Sequence, residues 1–245
     1  MADQQRGIQT VELAGEILKL VCASKKSLSL SEIAAMLNLA PGSAYKYLVS
    51  LQRTGLLKRN ESTLEFEAGS LSLRLGLSKI NRDGIVVQSR QALAQIAEKY
   101  EVNVFSSLWS NINGPTVVFY REFSSFFNLC FRLGENLALS TATGRLFAAY
   151  HAENLAQAIL LKPYADAQQF SDARFLHDLN RIRQQGYSVL IDTPDICSYA
   201  VPVFNHDNQM VLAMTVFAET QSVDADKISM ILEDLTAIAG VLKGM

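Results

Sequence analysis

The sequence predicts an α+β protein: an N-terminal winged helix-turn-helix, a linker helix, and a C-terminal antiparallel sheet with flanking helices. Three observations predict it. A capping-box pair, Ser29 and Glu32, stands ahead of Pro41 and of a candidate hairpin over residues 56–66. Alternating apolar stretches over residues 102–109, 116–120, 187–191, 198–204 and 210–217 are separated by turn residues. Segments of helical period bracket those stretches.

Taken in order, residues 9–23 place Val11, Leu13, Ala14, Ile17, Leu18, Leu20 and Val21 as the apolar positions of a first helix. Ser29 then caps a short helix that begins at Leu30 and carries Ile33, Ala34 and Leu37 at helical spacing. Pro41 suits the first position of the next helix, which runs to about Thr54. That helix turns Tyr47, Leu48 and Leu51 toward the core and leaves Ser43, Ala44, Tyr45 and Lys46 at its leading end. In a helix-turn-helix the leading end enters the major groove of DNA. Leu56 to Arg59, the turn Asn60-Glu61-Ser62, and Thr63 to Phe66 form the wing, with Lys58 and Arg59 placed to meet phosphates. Leu71, Leu73, Leu75 and Leu77 mark the linker helix, which closes at the turn cluster Asn81 to Gly84. The predicted divisions are 1–68, 69–84 and 85–245.

The second part opens with a helix from Ile85 to Tyr100. A strand over Val102 to Trp109 follows, then an Asn113-Gly114 turn and a returning strand over Thr116 to Tyr120. A short strand is expected around Leu129 to Arg132 and a helix over Ser140 to His151. A helical pattern from Ala167 to Gln185 stops at Gly186. Three β-rich runs, Tyr187–Ile191, Ser198–Phe204 and Met210–Phe217, precede a terminal helix from Val223.

With 245 residues, 49% of them hydrophobic and 19% charged, the chain can bury two cores. A net charge of -2 argues against a protein that coats nucleic acid indiscriminately. Residues 1–80 nevertheless carry ten Lys/Arg against seven Asp/Glu, a mildly basic head on an acidic body. Cys22, Cys130 and Cys197 lie far apart in apolar segments, which reads as reduced, buried thiols. His151, His177 and His206 lack metal-ligand spacing, so neither a metal nor a cofactor is expected. No apolar run reaches the roughly 18 residues of a membrane span, and the expected place is the cytoplasm. An enzyme would need Cys197, His206 and Asp192 to converge, yet Cys197 and Ser198 should point to opposite faces of the strand and His206 sits in the turn at its far end. No catalytic residue is assigned.

The motifs together resemble the IclR family of bacterial transcription regulators along nearly the whole chain. APGSAYKYLVSLQRTGLLKR stands where the family has its Pro, Ser/Thr, Arg-Leu-Leu and Gly-Leu/Val pattern, and FEAGSLSLRLG stands at its wing exit and linker. STATGRLFAAY is similar to the family's small-residue turn and Gly-Lys helix. NRIRQQGYS is similar to its Ile-Arg-x-x-Gly-Tyr signature, and SYAVPVFNHDNQMVLAMTVFA to its Ala-x-Pro-Val-Phe hairpin.

The resemblance implies a GAF-like effector-binding domain, a homodimer or homotetramer, double-stranded operator DNA as partner, and a small organic acid as effector of a catabolic operon. It implies that Ala142 and Thr143 offer backbone N–H groups at a helix start, with Asp192, Ser198, Thr215 and Phe217 lining the remaining wall. The chain departs from the pattern in three places. Phe217 stands where a small hydroxyl residue is common, Lys46 where Arg is frequent, and the stretch from Gly186-Tyr187 to Pro202 is short. Lys cannot make Arg's planar bidentate contact to guanine.

Several alternatives stay open on residues alone. Tyr45 is either a DNA contact or a rim residue, Lys58 and Arg59 either phosphate contacts or solvated charges, and Ser198 and Thr215 either ligand contacts or locally bonded strand residues. Phe123, Phe126, Phe127 and Phe131 line a cavity, an interface or the core; Arg121 and Arg132 either hold a carboxylate or lie exposed. A small-molecule sensor acting on a protein partner is the alternative function.

Overall fold

A computed structural model describes residues 7–110, 114–123, 131–151, 173–193 and 195–243. The chain divides into two compact units, one up to Ile80 and one from Asn81.

The first unit has the order α1 (Gln9–Ala23), α2 (Leu30–Met36), α3 (Pro41–Arg53), β1 (Leu57–Arg59), β2 (Phe66–Ala68) and α4 (Ser70–Arg82), which continues past the division. Ile17, Val21, Leu28, Ile33, Leu48, Leu51, Leu57 and Phe66 form its core. The expected capping box is present: Glu32 N–H donates to Ser29 Oγ at 3.3 Å, and Ser29 N–H donates to Glu32 Oε2 at 2.8 Å. Lys26 Nζ lies 2.7 Å from the other carboxylate oxygen. The Lys26 ammonium, and after it the Ser29 N–H and hydroxyl, pull the Glu32 carboxyl from its ordinary 4.5 to about 2.

Because the folded value lies below the unfolded one, the unfolded chain holds the extra proton inside that window. This stability is present above pH 4.5 and is lost as pH falls toward 2. Glu32→Gln is expected to flatten the acid limb of the first unit's unfolding curve, and Ser29→Ala to cost about 1 kcal/mol in urea. An acid limb unchanged by Glu32→Gln would show that the carboxylate is not held this way.

The wing differs from expectation at its return. β2 starts at Phe66, not Thr63, and pairs antiparallel with β1 through Leu57↔Ala68, Lys58↔Glu67 and Arg59↔Phe66. Asn60 Oδ1 accepts from Ser62 N–H at 2.9 Å and Thr63 N–H at 3.2 Å, so the loop spends those residues on a side-chain-capped turn. Phe66 also exchanges backbone bonds of 2.7 and 3.0 Å with Leu28.

The second unit contains α5 (Gly84–Tyr100), β3 (Asn103–Ser110), β4 (Gly114–Arg121), α6 (Ala142–Tyr150), α7 (Ala173–Gln185), β5 (Ser188–Thr193), β6 (Ile196–Phe204), β7 (Met210–Glu219) and α8 (Ala225–Lys243). Five strands form one antiparallel sheet in the order β4-β3-β7-β6-β5. β7 is buried from Leu212 to Ala218, and since successive side chains point to opposite faces, both faces are covered. Helices α6 and α7 pack over Ala200 and Ala213 through Leu146, Phe147, Leu179 and Ile182. Helices α5 and α8 pack on each other and on the sheet, joined by Asp234, which accepts from Lys99 Nζ at 2.7 Å and Tyr100 Oη at 2.9 Å. Of the strand expected at Leu129 to Arg132, Leu129 and Cys130 fall outside the described residues, and Phe131 and Arg132 are not in a strand.

Candidate functional site

On the first unit, α3 presents Ser43, Tyr45 and Lys46 to solvent, with Tyr45 half exposed. Ala44 is corrected: at 0% exposure it belongs to the core, one turn before Leu48, so its side chain cannot meet a groove. The wing cations are engaged within the wing. Lys58 Nζ lies 3.4 Å from Glu67 Oε1 across the hairpin. Arg59 Nε donates to Leu64 O at 3.3 Å and its guanidinium sits 5.6 Å from the centre of the Phe66 ring. Both pairs are solvent-facing and weak enough to exchange for phosphates.

On the second unit, α6 begins where the sequence places the small-residue turn, and Thr141 is its N-cap. Thr141 Oγ1 accepts from Gly144 N–H at 3.0 Å and donates to Ala138 O at 2.7 Å, while Arg145 N–H donates to Thr141 O at 2.9 Å. The N–H groups of Ala142 and Thr143 have no acceptor among the described residues. They lie at the positive end of the α6 dipole. The Thr143 and Thr215 hydroxyls hydrogen-bond at 2.8 Å, both residues 1% exposed, which joins the first turn of α6 to the central strand.

The strand register sets the rest. Thr215 stands opposite Phe105 on β3 and Ala200 on β6; Phe217, on the same face, stands opposite Asn103 and Ser198. Ser198 is half-buried, and its hydroxyl bonds its neighbour strand through Leu190 O at 3.4 Å. Phe217 is buried among three rings, with centroids 5.1 Å away at Phe131, 5.9 Å at Phe105 and 6.3 Å at Tyr120. It fills that end of the face. The Asp192 backbone lies in β5, and its side chain falls outside the described residues, as do Phe126, Phe127 and Cys130.

Other residues named from the sequence separate. Arg121 Nη2 pairs with Glu98 Oε1 at 2.7 Å, and Phe123 is exposed. Cys197 is buried, its thiol pushed up by burial, whereas His206 is exposed in the turn after β6. Sequence reading missed a polar set on the Phe105 face of β3: among the described residues Ser107 Oγ and Trp109 Nε1 are buried without a hydrogen-bond partner, as is His151 Nε2, whose ring stacks on Trp109 at 4.7 Å. Burial lowers the His151 pKa, which keeps the ring neutral at pH 7. Single polar residues in an apolar strand carry no motif. No helix among the described residues is long and apolar enough to cross a membrane, and none of their His, Cys, Asp or Glu groups is arranged to hold a metal.

Two family models match the two units in turn: the IclR helix-turn-helix domain over residues 10–61, and the bacterial transcriptional regulator IclR C-terminal domain over residues 79–242. The chain is 25% identical over 228 residues to the HTH-type transcriptional regulator BhcR of Paracoccus denitrificans, covering 89% of this chain and 80% of that one. It is 26% identical over 217 residues to the glycerol operon regulatory protein of Streptomyces coelicolor, covering 83% and 81%. A crystal structure of an IclR transcriptional regulator from Alicyclobacillus acidocaldarius superposes with a TM-score of 0.80 at 20% identity, covering 98% of this chain and 99% of that one. A DNA-reading head followed by this sheet and its helices, matched in order over most of the chain, leaves one assignment: the protein belongs to the IclR family of bacterial transcriptional regulators.

Proposed function

We propose that this regulator acts in the cytoplasm on a catabolic operon, binds a pseudo-palindromic operator as a homodimer or homotetramer, and changes its hold on DNA when a small organic acid binds the second unit. The observation that carries this reading is the start of α6: two N–H groups without an acceptor among the described residues, beside the Thr143–Thr215 hydroxyl pair. Such a helix start attracts a carboxylate, and the hydroxyls accept or donate to its neighbour groups. The ring cluster around Phe217 leaves little room on that side, which favours a compact acid, such as a 2-oxo acid or sugar acid, over an aromatic one. A glycerol operon regulator among the relatives supports a catabolic operon. Leu73, Leu75 and Leu77 of α4 are each about half exposed or more, apolar surface that supports an oligomer. The acid shifts DNA affinity only if it binds one arrangement of the protein better than another.

The test is a thermal-shift screen of the full chain against 2-oxo, sugar and aromatic acids. A compact acid at a hundredfold excess over its Kd is expected to add about 2.7 kcal/mol of stability, and Thr215→Val to abolish that gain. Silence across the panel, or an intact gain in Thr215→Val, would sink the α6 placement.

A further inference from the structure

Helix α3 carries an outer stripe that runs past its leading end. Ala44, Leu48 and Leu51 face the core, and at about 3.6 residues per turn the opposite side carries Gly42, Lys46, Val49 and Arg53. Lys46 and Arg53 are exposed and have no ion-pair partner among the described residues, whereas Lys19, Lys26 and Lys58 of the same unit are paired. They stand about 10 Å apart along the axis, at about 1.5 Å of rise per residue. Val49 lies between them, half-buried, a branched aliphatic with no core role among the α3 residues that are fully covered. Gly42 has no left-handed φ, and a Cβ placed on it meets nothing within 4 Å. Nothing among the described residues therefore asks for glycine there.

We propose that α3 docks in the major groove on this stripe. Bare Gly42 lets the helix start approach the base edges, Val49 reads a thymine methyl, and Lys46 and Arg53 hold phosphates. The inference rests on the operator-binding reading and adds what that reading leaves open, the base class under the middle of the helix: each half-site carries a thymine there. Valine offers no hydrogen bond, so the methyl, present on thymine alone among the four bases, is what it distinguishes.

The experiment uses the full chain and a duplex that it selects from random-sequence DNA, read by fluorescence anisotropy. Uracil is substituted for thymine one position at a time, which removes only the methyl. One position in each half-site is expected to weaken binding about fourfold, the worth of one buried methyl, and Val49→Ala to erase that difference. Gly42→Ala is expected to keep or raise the melting temperature while weakening DNA binding at least tenfold. Arg53→Ala is expected to reduce the salt slope by about 0.9 for each helix bound. Uracil tolerated at every position, or Gly42→Ala binding as tightly as the parent, overturns the stripe. Failure of the parent chain to select any duplex overturns the operator reading itself.

Discussion

Gly144→Ala is expected to unfold the second unit while the first keeps its own transition. The first turn of α6 lies so close to the preceding segment that a Cβ at Gly144 overlaps the Ala138 carbonyl oxygen and falls 2.6 Å from Leu139 Cα. Overpacking against side chains costs about 1–3 kcal/mol. Here the obstacle is backbone, and Ala138 O is already held by Thr141, so the loss lies at or beyond the top of that range. Differential scanning calorimetry of the full chain should show the second unit's transition lowered or gone. A Gly144→Ala protein that melts like the parent would show that α6 does not start this close to residues 138–139.

Gly69→Ala is the matching prediction for the head. A Cβ there overlaps the Gly55 carbonyl oxygen and lies 2.8 Å from Gly55 C and 2.9 Å from Leu57 C. Gly69 N–H donates to Leu56 O at 2.8 Å and Leu71 N–H to Gly55 O at 2.9 Å, so the chain leaving the wing is pinned to the turn that ends α3. Forcing them apart displaces the wing from α3. DNA binding is expected to fall by two orders of magnitude or more, with acid-induced stabilisation of the second unit unchanged. Normal operator affinity in Gly69→Ala would refute the pinning.

Local chemistry made much of this architecture readable. Ser29 and Glu32 sit three residues apart because the cap needs that spacing, and Pro41 begins α3 because its missing N–H costs nothing at that position. What escaped depends on contacts distant in sequence. Phe66 opens β2 partly because Leu28 reaches it across the head, a pairing that no periodicity records. Ala44 read as leading-end surface because alanine suits either environment; its burial follows from packing beside Leu48 and Leu51. At the second site, the α6 start was legible from its small residues, but the direct Thr143–Thr215 bond was not, since it joins residues on α6 and β7. Phe217 reads as pocket wall only through the family resemblance, and the three rings that enclose it come from separate segments, which no motif records.

The strand order carries a consequence for how the protein comes into being. β3 takes β7 as its neighbour, with Asn103 opposite Phe217, more than a hundred residues later. A chain leaving the ribosome therefore completes its head, whose contacts are mostly local, long before the sheet has its middle strand. Translation that stops between the head and β7 leaves a finished helix-turn-helix unit attached to a sheet that never closes. On the function proposed above, a premature stop codon between the head and β7 is expected to yield a protein that still competes for the operator and no longer answers the acid, a dominant allele where a simple null would be assumed.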